Sequence, residues 1–476
     1  MIVARLSHGQ PKVIDRLREM VRLAAGVEQQ PAALECLARF GERIRDMKAD
    51  SVRVVGTNTL RQMCRSSDFI GAAEASLGHP VEIISGIEEA RLIYQGVVHT
   101  SPAVVGKQIV VDVGGGSTEI ISGEGFEPAA LESLNLGCVG LSEDCFAGGK
   151  LTRSRFGRAR IAARLELNPI RARFSANRPE RAIGASGTIR AAQAVLTAVS
   201  GKPAEITVAG LENLIRRMVT AGHIDELKLP GLSDQRKPVF PGGVAILIEV
   251  MSALDIEVMK VSDGALREGL LYDMVDRLSD EDARDRTVRS MEGRFNIDVE
   301  QADRVESTAL QLLDEVGGSW KLDDEPDRQL LRWAARLHEI GLHISHAHYH
   351  EHGAYLLEHA DMPGFPTEEQ EVLARLVQSH RSKIARKPIV AVPTPWHQRV
   401  KRLTVLLRLA VLFNRSRTVV DLSGLSFRAK GDRLSMGFPE TWSDSNQLTW
   451  ADLQREQKYL VDAGIELQLI EVSNQD

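Results

Sequence analysis

The sequence predicts an α/β protein that passes into an all-helical region and ends in a small α+β segment. Up to about residue 277, runs of β-branched residues alternate with stretches of helical periodicity. From about residue 278 the strand-like runs cease and charged helical sequence takes over. Between residues 422 and 469 short alternating runs return around one helix near 452–460. With 476 residues, 43% of them hydrophobic, the chain exceeds the size at which one core keeps growing, so three or four domains are expected.

The chain opens on Ile2-Val3-Ala4-Arg5-Leu6, a Ser-His-Gly-Gln-Pro turn and Lys12-Val13-Ile14-Asp15, the pattern of a hairpin. Leu34, Leu37, Phe40, Ile44 and Met47 recur at helical spacing, and residues 51–56 read as a strand. Thr57-Asn58-Thr59-Leu60-Arg61 then forms a loop-to-helix junction at a strand's carboxyl end, where open α/β sheets place their ligands. Arg61 is thus a candidate anion contact, although a lone arginine there is as readily a solvated surface residue. Val81-Glu82-Ile83-Ile84 leads into Ser85-Gly86-Ile87-Glu88-Glu89, in which Ser85 and Glu88 match a capping box. Complementing the helix dipole accounts for Glu88. Glu89 is left over as a candidate catalytic carboxylate, against the plain alternative of one more first-turn glutamate.

The stretch richest in chemistry is Ile109-Val110-Val111-Asp112-Val113-Gly114-Gly115-Gly116-Ser117-Thr118-Glu119-Ile120-Ile121, strand, tight turn, strand. Successive glycines that adopt positive φ can expose consecutive N–H groups as a cradle for phosphate oxygens. Asp112 at the mouth of the turn would repel a phosphate unless a hard cation lies between, and Mg²⁺ is the cation expected. No Gly-Lys-Ser/Thr follows, which excludes a Walker A loop, and Glu119 stands where a dinucleotide fingerprint needs its last glycine. A ligand-free glycine hairpin is the bland alternative.

Nine arginines lie between Arg153 and Arg181, usually the mark of a solvated helix face. Ala182-Ile183-Gly184-Ala185-Ser186-Gly187-Thr188 is a strand running into a helix start whose free N–H groups can bind an anion, although Ser-Gly-Thr is also simply a good cap. Pro230-Gly231 and Pro241-Gly242-Gly243 interrupt the pattern around a basic segment, ahead of an apolar helix at 244–254. Met259-Lys260-Val261-Ser262-Asp263-Gly264 repeats the strand-to-helix theme. His338, His343, His346, His348, His350, His352 and His380 crowd the helical region, but on a loop with few carboxylates beside them, and no metal is expected there. A second basic stretch holds Arg381, Lys383, Arg386, Lys387, Arg399, Lys401, Arg402 and Arg408.

A net charge of −6 argues against a general nucleic-acid coat. The four cysteines, Cys36, Cys64, Cys138 and Cys145, form no Cys-x-x-Cys pair, which suits a reducing compartment. With no apolar run long enough to span a bilayer and no signal peptide at Met1, a cytoplasmic setting is expected, peripheral at the inner membrane at most.

Taken together, Val55-Gly56-Thr57-Asn58-Thr59-Leu60-Arg61, Ser85-Gly86-Ile87-Glu88-Glu89-Ala90-Arg91-Leu92, the Asp112 to Glu119 motif, Gly184-Ala185-Ser186-Gly187-Thr188 and Ser262-Asp263-Gly264-Ala265-Leu266-Arg267-Glu268-Gly269 resemble the exopolyphosphatase and guanosine pentaphosphate phosphohydrolase (Ppx/GppA) family. The resemblance covers nearly the whole chain. It implies two ribonuclease-H-like lobes of the actin and sugar-kinase type at 1–93 (truncated) and 94–277, a helical domain similar to HD phosphohydrolases at 278–395, and a small α+β domain at 396–476. It further implies Glu89 as general base, Arg61 as a cleft arginine on substrate oxygens, and Asp112 and Glu119 as carboxylates on the side of the metal. Gly114, Gly115, Gly116 and Ser117 match one phosphate loop, and Ser186, Gly187 and Thr188 a later one. The implied activity is exopolyphosphatase with Mg²⁺, releasing terminal orthophosphate from inorganic polyphosphate. Its alternatives are removal of the 5′ γ-phosphate of guanosine pentaphosphate (pppGpp), or a catalytically impaired polyphosphate-binding protein. A homodimer is implied as well.

Two departures from the pattern stand out. The opening phosphate loop of the family, Asp-x-Gly-Ser-x-Ser, does not occur in the sequence, so a start codon assigned too far downstream and weak activity of the 476-residue chain are expected. His338-Glu339 replaces the His-Asp pair of true HD enzymes, so a scaffold or substrate-guiding role is expected for the helical region.

Overall fold

The computed structural model describes residues 1–7, 10–19, 21, 30–63, 68–101, 106–175, 179–277, 282–322, 324–384, 392–393 and 396–472. Cys64, Arg386 and Lys387, and the Met1 hairpin's turn at His8 and Gly9, fall outside them. The chain divides into two compact units, Met1–Glu281 and Asp282–Asp476.

In the first unit, β1 (Ile2–Ser7) and β2 (Gln10–Arg16) pair antiparallel, as the opening alternation predicts. Helix α1 (Gln30–Ile44) follows. The strand expected at 51–56 shrinks to β3 (Val55–Gly56), because only these two residues find a partner, in parallel with β4 (Glu82–Ile83). Between them lie α2 (Asn58–Met63) and α3 (Asp68–Leu77), and after them α4 (Gly86–Thr100).

The main sheet contains β5 (Lys107–Val113), β6 (Thr118–Glu124), β7 (Glu127–Leu134), β8 (Arg181–Gly184), β9 (Ile206–Thr207) and β10 (Val258–Val261), in the order β7-β6-β5-β8-β10-β9. Strands β5, β8 and β10 run parallel, while β6, β7 and β9 pair antiparallel with their neighbours. Side chains alternate across this sheet with period two. Ile109, Val111 and Ile120 enter the larger core, whereas Val110 and Ile121 join Ala90, Ile93, Tyr94 and Val97 of α4. Asp112 and Glu119 share the parity of Val110 and Ile121, so they rise from the face that α4 covers.

Helices α5 (Cys138–Phe146), α6 (Arg153–Ser175), α7 (Gly187–Ser200) and α8 (Val208–Ala221) surround α9 (Phe240–Ala253), which is buried all round as its apolar sequence requires. Helix α9 begins at Phe240, ahead of the expected 244, and takes in Pro241-Gly242-Gly243. A proline in the first turn gives up no helical hydrogen bond, and the two glycines admit Ser142, Cys138 and Thr188 against the helix backbone. Most arginines of α6 are exposed, as expected of a solvated helix face, and several of them also pair within the fold. Arg155 donates to Cys145 and Ala147 carbonyls, Arg160 and Arg164 both hold the buried Glu249, and Arg173 reaches Glu132.

Helix α10 (Leu266–Asp276) lies against α4 in backbone contact. A Cβ at Gly96 would stand 1.9 Å from the Ala265 carbonyl oxygen, and one at Gly269 1.7 Å from that of Leu92. Beside this seam the His99 ring stacks on Tyr272 with centroids 4.0 Å apart.

The second unit is built from α11 (Ala283–Arg294), α12 (Val299–Trp320), α13 (Glu325–Leu337), α14 (Tyr349–His359), α15 (Thr367–Ser379) and α16 (His397–Phe413). It ends in β11 (Ser426–Lys430), β12 (Arg433–Pro439), α17 (Trp442–Ser445), α18 (Gln447–Asp462) and β13 (Glu466–Val472). Strands β11 and β12 form a hairpin, and β13 returns parallel to β12 through α18. One core runs through helices and sheet, from Trp320 and Trp333 to Phe438 and Leu453. The histidine-rich stretch is only partly a loop. His338, His350 and His380 are buried at or within helices, while His343, His346 and His348 are exposed. Among the described residues no helix is long and apolar enough to cross a membrane.

Candidate active site

The site is built where the first turn of α4 meets the β5–β6 turn. Ser85 caps α4, its hydroxyl accepting the Glu88 N–H at 3.1 Å. The other half of the expected capping box does not form. Glu88 turns away and receives two hydrogen bonds from Arg91, at 2.7 and 2.8 Å, so a buried ion pair rather than the helix dipole accounts for it. Glu89, the next residue along the same helical turn, points elsewhere. Its carboxylate accepts from Arg61 Nη1 at 3.2 Å and from the Thr57 hydroxyl. Arg61 Nη1 also donates to the Ile84 carbonyl at 2.7 Å, so this arginine is fixed by both strand and helix and is not a free surface residue.

Asp112 and Glu119 are direct cross-strand partners, which puts their side chains on one face within reach of each other. Glu119 accepts from the Ser133 hydroxyl at 2.9 Å. The three carboxyls sense one another. Burial raises Glu89 above the ordinary range against the pull of Arg61. Asp112 is pushed up to about 7 by burial and then by Glu89, with Arg190 and Arg236 pulling the other way. Glu119 is driven well above the usual range by burial, then by Glu89 and Asp112. Such a cluster of buried like charges is the electrostatic mark of a site that awaits positive charge.

The glycine turn works differently from the expectation. None of Gly114, Gly115 and Gly116 has positive φ. The absence of side chains matters here for close approach. A Cβ on Gly116 would stand 2.5 Å from Asn58 Nδ2, and one on Gly137 2.1 Å from the Gly115 carbonyl oxygen. The Gly114 N–H closes the turn on the Ser117 carbonyl at 2.9 Å, and the Gly114 and Gly115 carbonyls accept from Cys138 and Val139 at the start of α5. The N–H groups of Gly115 and Gly116, both exposed, have no protein acceptor among the described residues. Ser117 is buried and hydrogen-bonded to Glu119.

Strand β8 brings the third motif alongside, the Ala185 N–H donating to the Val111 carbonyl at 3.0 Å. Ser186 and Thr188 are buried. The Ser186 hydroxyl caps α7 by accepting the Ile189 N–H at 3.1 Å, and the Thr188 hydroxyl bonds the Cys138 thiol. Gly187 faces the Arg236 guanidinium so closely that a Cβ would lie 2.0 Å from Nη2.

Arg236 heads a set of residues that the sequence reading did not single out. Arg190 and Arg236 act on Asp112, and burial together with the nearby charges of Arg18 and Arg190 holds Arg236 and Arg267 below their ordinary values. Guanidiniums that crowd one another in this way fit a polyanion. Arg267 stands inside a motif already recognised, Arg190 two residues past another, and Arg236 in the basic segment before α9. Arg18 carries no sequence signal.

The profile of the Ppx/GppA phosphatase family matches residues 2–278, and that of Ppx/GppA phosphatase domain III matches residues 283–457. The chain belongs to the Ppx/GppA phosphatase family. As a Ppx/GppA protein it is a hydrolase. Among its relatives is the guanosine-5′-triphosphate,3′-diphosphate pyrophosphatase of Vibrio cholerae, 39% identical over 473 residues, spanning 98% of this chain and 94% of the relative. The protein of the same name from Aeromonas hydrophila is 37% identical over 464 residues, spanning 96% and 93%. An exopolyphosphatase from Cytophaga hutchinsonii shares the fold at a TM-score of 0.53 and 22% identity, covering 58% of this chain and 94% of that one. The Ppx/GppA architecture is the actin-like α/β fold that the motifs imply, followed by a helical region.

Proposed function

We propose that the chain hydrolyses the terminal 5′ phosphoanhydride of guanosine 5′-triphosphate,3′-diphosphate and releases orthophosphate, with Glu89 as general base toward water. The observation that carries this reading is the setting of Glu89, held by Arg61 and Thr57 and near enough to Asp112 and Glu119, which flank the glycine turn, to raise both. A carboxyl raised by burial is a better base near neutral pH than an ordinary one, and Arg61 keeps it aimed. The Gly115 and Gly116 N–H groups receive the oxygens of the transferred phosphoryl, and Arg236 above Gly187 receives further phosphate charge.

The donor set suits Mg²⁺. Asp112 and Glu119 offer hard oxygens side by side with unmet negative charge, and Mg²⁺ is commonly held by one or two carboxylates together with substrate phosphates. Among the described residues no group of three His, Cys, Asp or Glu forms a metal cage, so Asp112 and Glu119 would hold the ion together with substrate phosphates. When bound, the ion supplies charge neutralisation on the phosphate oxygens.

The nucleotide takes precedence over polyphosphate for two reasons. The relatives named for it match this chain along its length. In addition, several cations of the two basic stretches, which could otherwise line a track for a long polyanion, are engaged within the fold: Arg160 and Arg164 on Glu249, Arg399 on Asp327, Arg402 on the Trp320 carbonyl and Arg408 on Glu456. The test is orthophosphate release from the nucleotide and from long-chain polyphosphate, compared as kcat/KM. A preference of about tenfold or more for the nucleotide, roughly 1.4 kcal/mol of transition-state discrimination, is expected. A preference for polyphosphate overturns the substrate assignment, and tight binding of either without release overturns the enzymatic one.

A further inference from the structure

Two segments bring the reacting groups together. One is the first turn of α4, which carries Glu89, and the other is β3 with the residues just after it, which supply Thr57 and Arg61. Both segments are tied to a single carboxylate that belongs to neither. Asp273 on α10 accepts from Arg91 through Oδ1 and from Arg53 through Oδ2, and Arg277 Nε adds a third bond at 3.1 Å. Arg91 sits in the same turn of α4 as Glu89 and also grips Glu88. Arg53 precedes β3 and donates to Glu82 of β4 at 2.9 Å. The side chains of Asp273, Arg53, Arg91 and Glu88 are 3, 5, 5 and 1% exposed, so their mutual pull is little screened.

The arrangement answers a mechanical problem. Glu89, Asp112 and Glu119 repel one another across the site, which pushes the first turn of α4 away from the β5–β6 turn. The Gly96–Gly269 seam fixes how closely α4 approaches α10, but it lies farther along the helix. The end of α4 that bears Glu89 is restrained by ions. Glu82, Glu88 and Asp273 balance Arg53, Arg91 and Arg277, so the clamp adds no net charge beside the site.

We propose that Asp273 is a positioning residue for the Glu89–Arg61 pair, acting through Arg91 on α4 and through Arg53 on the strand that leads to Arg61. The inference rests on the role given to Glu89 above. Displacement of a base by about 1 Å can cost on the order of 10²-fold in rate, so Asp273→Asn in the full chain is expected to lower kcat for the nucleotide by about that factor with KM within about threefold. Combined with Glu89→Gln it is expected to cost nothing further, since a positioning residue has nothing left to position. Amide hydrogen exchange is expected to quicken together at residues 57–63 and 86–92 while β5 and β6 keep their protection. Arg91→Lys keeps the charge but loses the forked geometry, and is expected to loosen 86–92 alone.

A folded Asp273→Asn protein with wild-type kcat, an additive double variant, or exchange that rises uniformly through the first unit would each overturn the proposal. If Asp273→Asn does not fold, Arg91→Lys and Arg53→Lys decide it by the same exchange pattern, which needs no turnover. Failure of the underlying reading looks different. Wild-type turnover in Glu89→Gln removes the base itself, whereas its loss there with full kcat in Asp273→Asn removes only the clamp.

Discussion

Each unit of this chain buries a cluster of ionisable side chains, and the two clusters are resolved in opposite ways. In the first unit Glu89, Asp112 and Glu119 are like charges in partial burial, all pushed toward protonation, with Arg61, Arg190 and Arg236 as incomplete compensation. In the second, His338, His350 and His380 are held toward the neutral form. His338 and His380 donate Nδ1–H to the Ala335 and Val377 carbonyls at 2.6 and 2.5 Å, and Tyr349 lies 3.3 Å from His380 Nε2. The imidazoles have settled their charge within the fold, while the carboxyls retain mutual repulsion that the nearby arginines only partly offset. Crowded titratable groups therefore do not by themselves mark a site; the sign of the unmet charge does.

The largest effect that tests this contrast is Glu89→Gln. It is expected to lower turnover by roughly 10³-fold, within the range of general-base catalysis, with nucleotide binding within about threefold of wild type, as measured by single-turnover kinetics and equilibrium binding. Retained turnover would remove the basis for treating the carboxylate cluster as the reactive one. Next, Asp112→Asn is expected to weaken Mg²⁺ binding about tenfold or more in calorimetry without unfolding the chain, since it relieves repulsion while removing a ligand. Unchanged affinity would take the metal away from this strand.

A smaller effect belongs to Gly137→Ala, whose methyl would force the Gly115 carbonyl to move. We expect kcat/KM to fall about tenfold, with a loss of stability of about 1–3 kcal/mol in denaturant titration. Full activity would mean that the turn tolerates displacement.

In the second unit His338→Ala is expected to leave turnover and bound-metal content unchanged, and loss of both would reverse the contrast. The mildest effect is on pH. Burial depresses His380, with His338, His350 and Arg408 adding to it, and Tyr349 and Arg381 pack on the same side. Burial also depresses His338, against the opposing pull of Glu339. The unfolded chain thus binds more protons than the folded one once pH falls below the ordinary imidazole value of about 6.5, and stability should decline from there downward by at most about 1.4 kcal/mol per pH unit for each group. Melting of the wild type and His380→Gln between pH 7.5 and 5.5 checks this. A slope unaltered by the substitution would sink it.

Much of this organisation was legible from short-range pattern. The Met1 hairpin, the glycine turn, the Ser85 and Ser186 caps and the repeated strand-to-helix junctions each depend on neighbours in sequence. What the sequence concealed depends on distant partners. Glu88 and Arg91 look like surface charges until Asp273 is brought to them, and nothing near Arg160 in sequence announces its bond to Glu249. Arg236, which acts on Asp112 from afar in sequence, lies in a segment with no recognisable motif. The glycine turn was assigned for φ freedom when its glycines serve close approach, a distinction that only the neighbouring Asn58 and Gly137 reveal.

The seam between α4 and α10 has a dynamic corollary. Where helices touch through carbonyl and amide atoms, no rotamer change can absorb sliding between them, so the pair swings as one rod. A rigid-body swing of α4 at the level of the seam therefore carries α10 and Tyr272 with it, and the stacked His99–Tyr272 rings ride that rod unchanged.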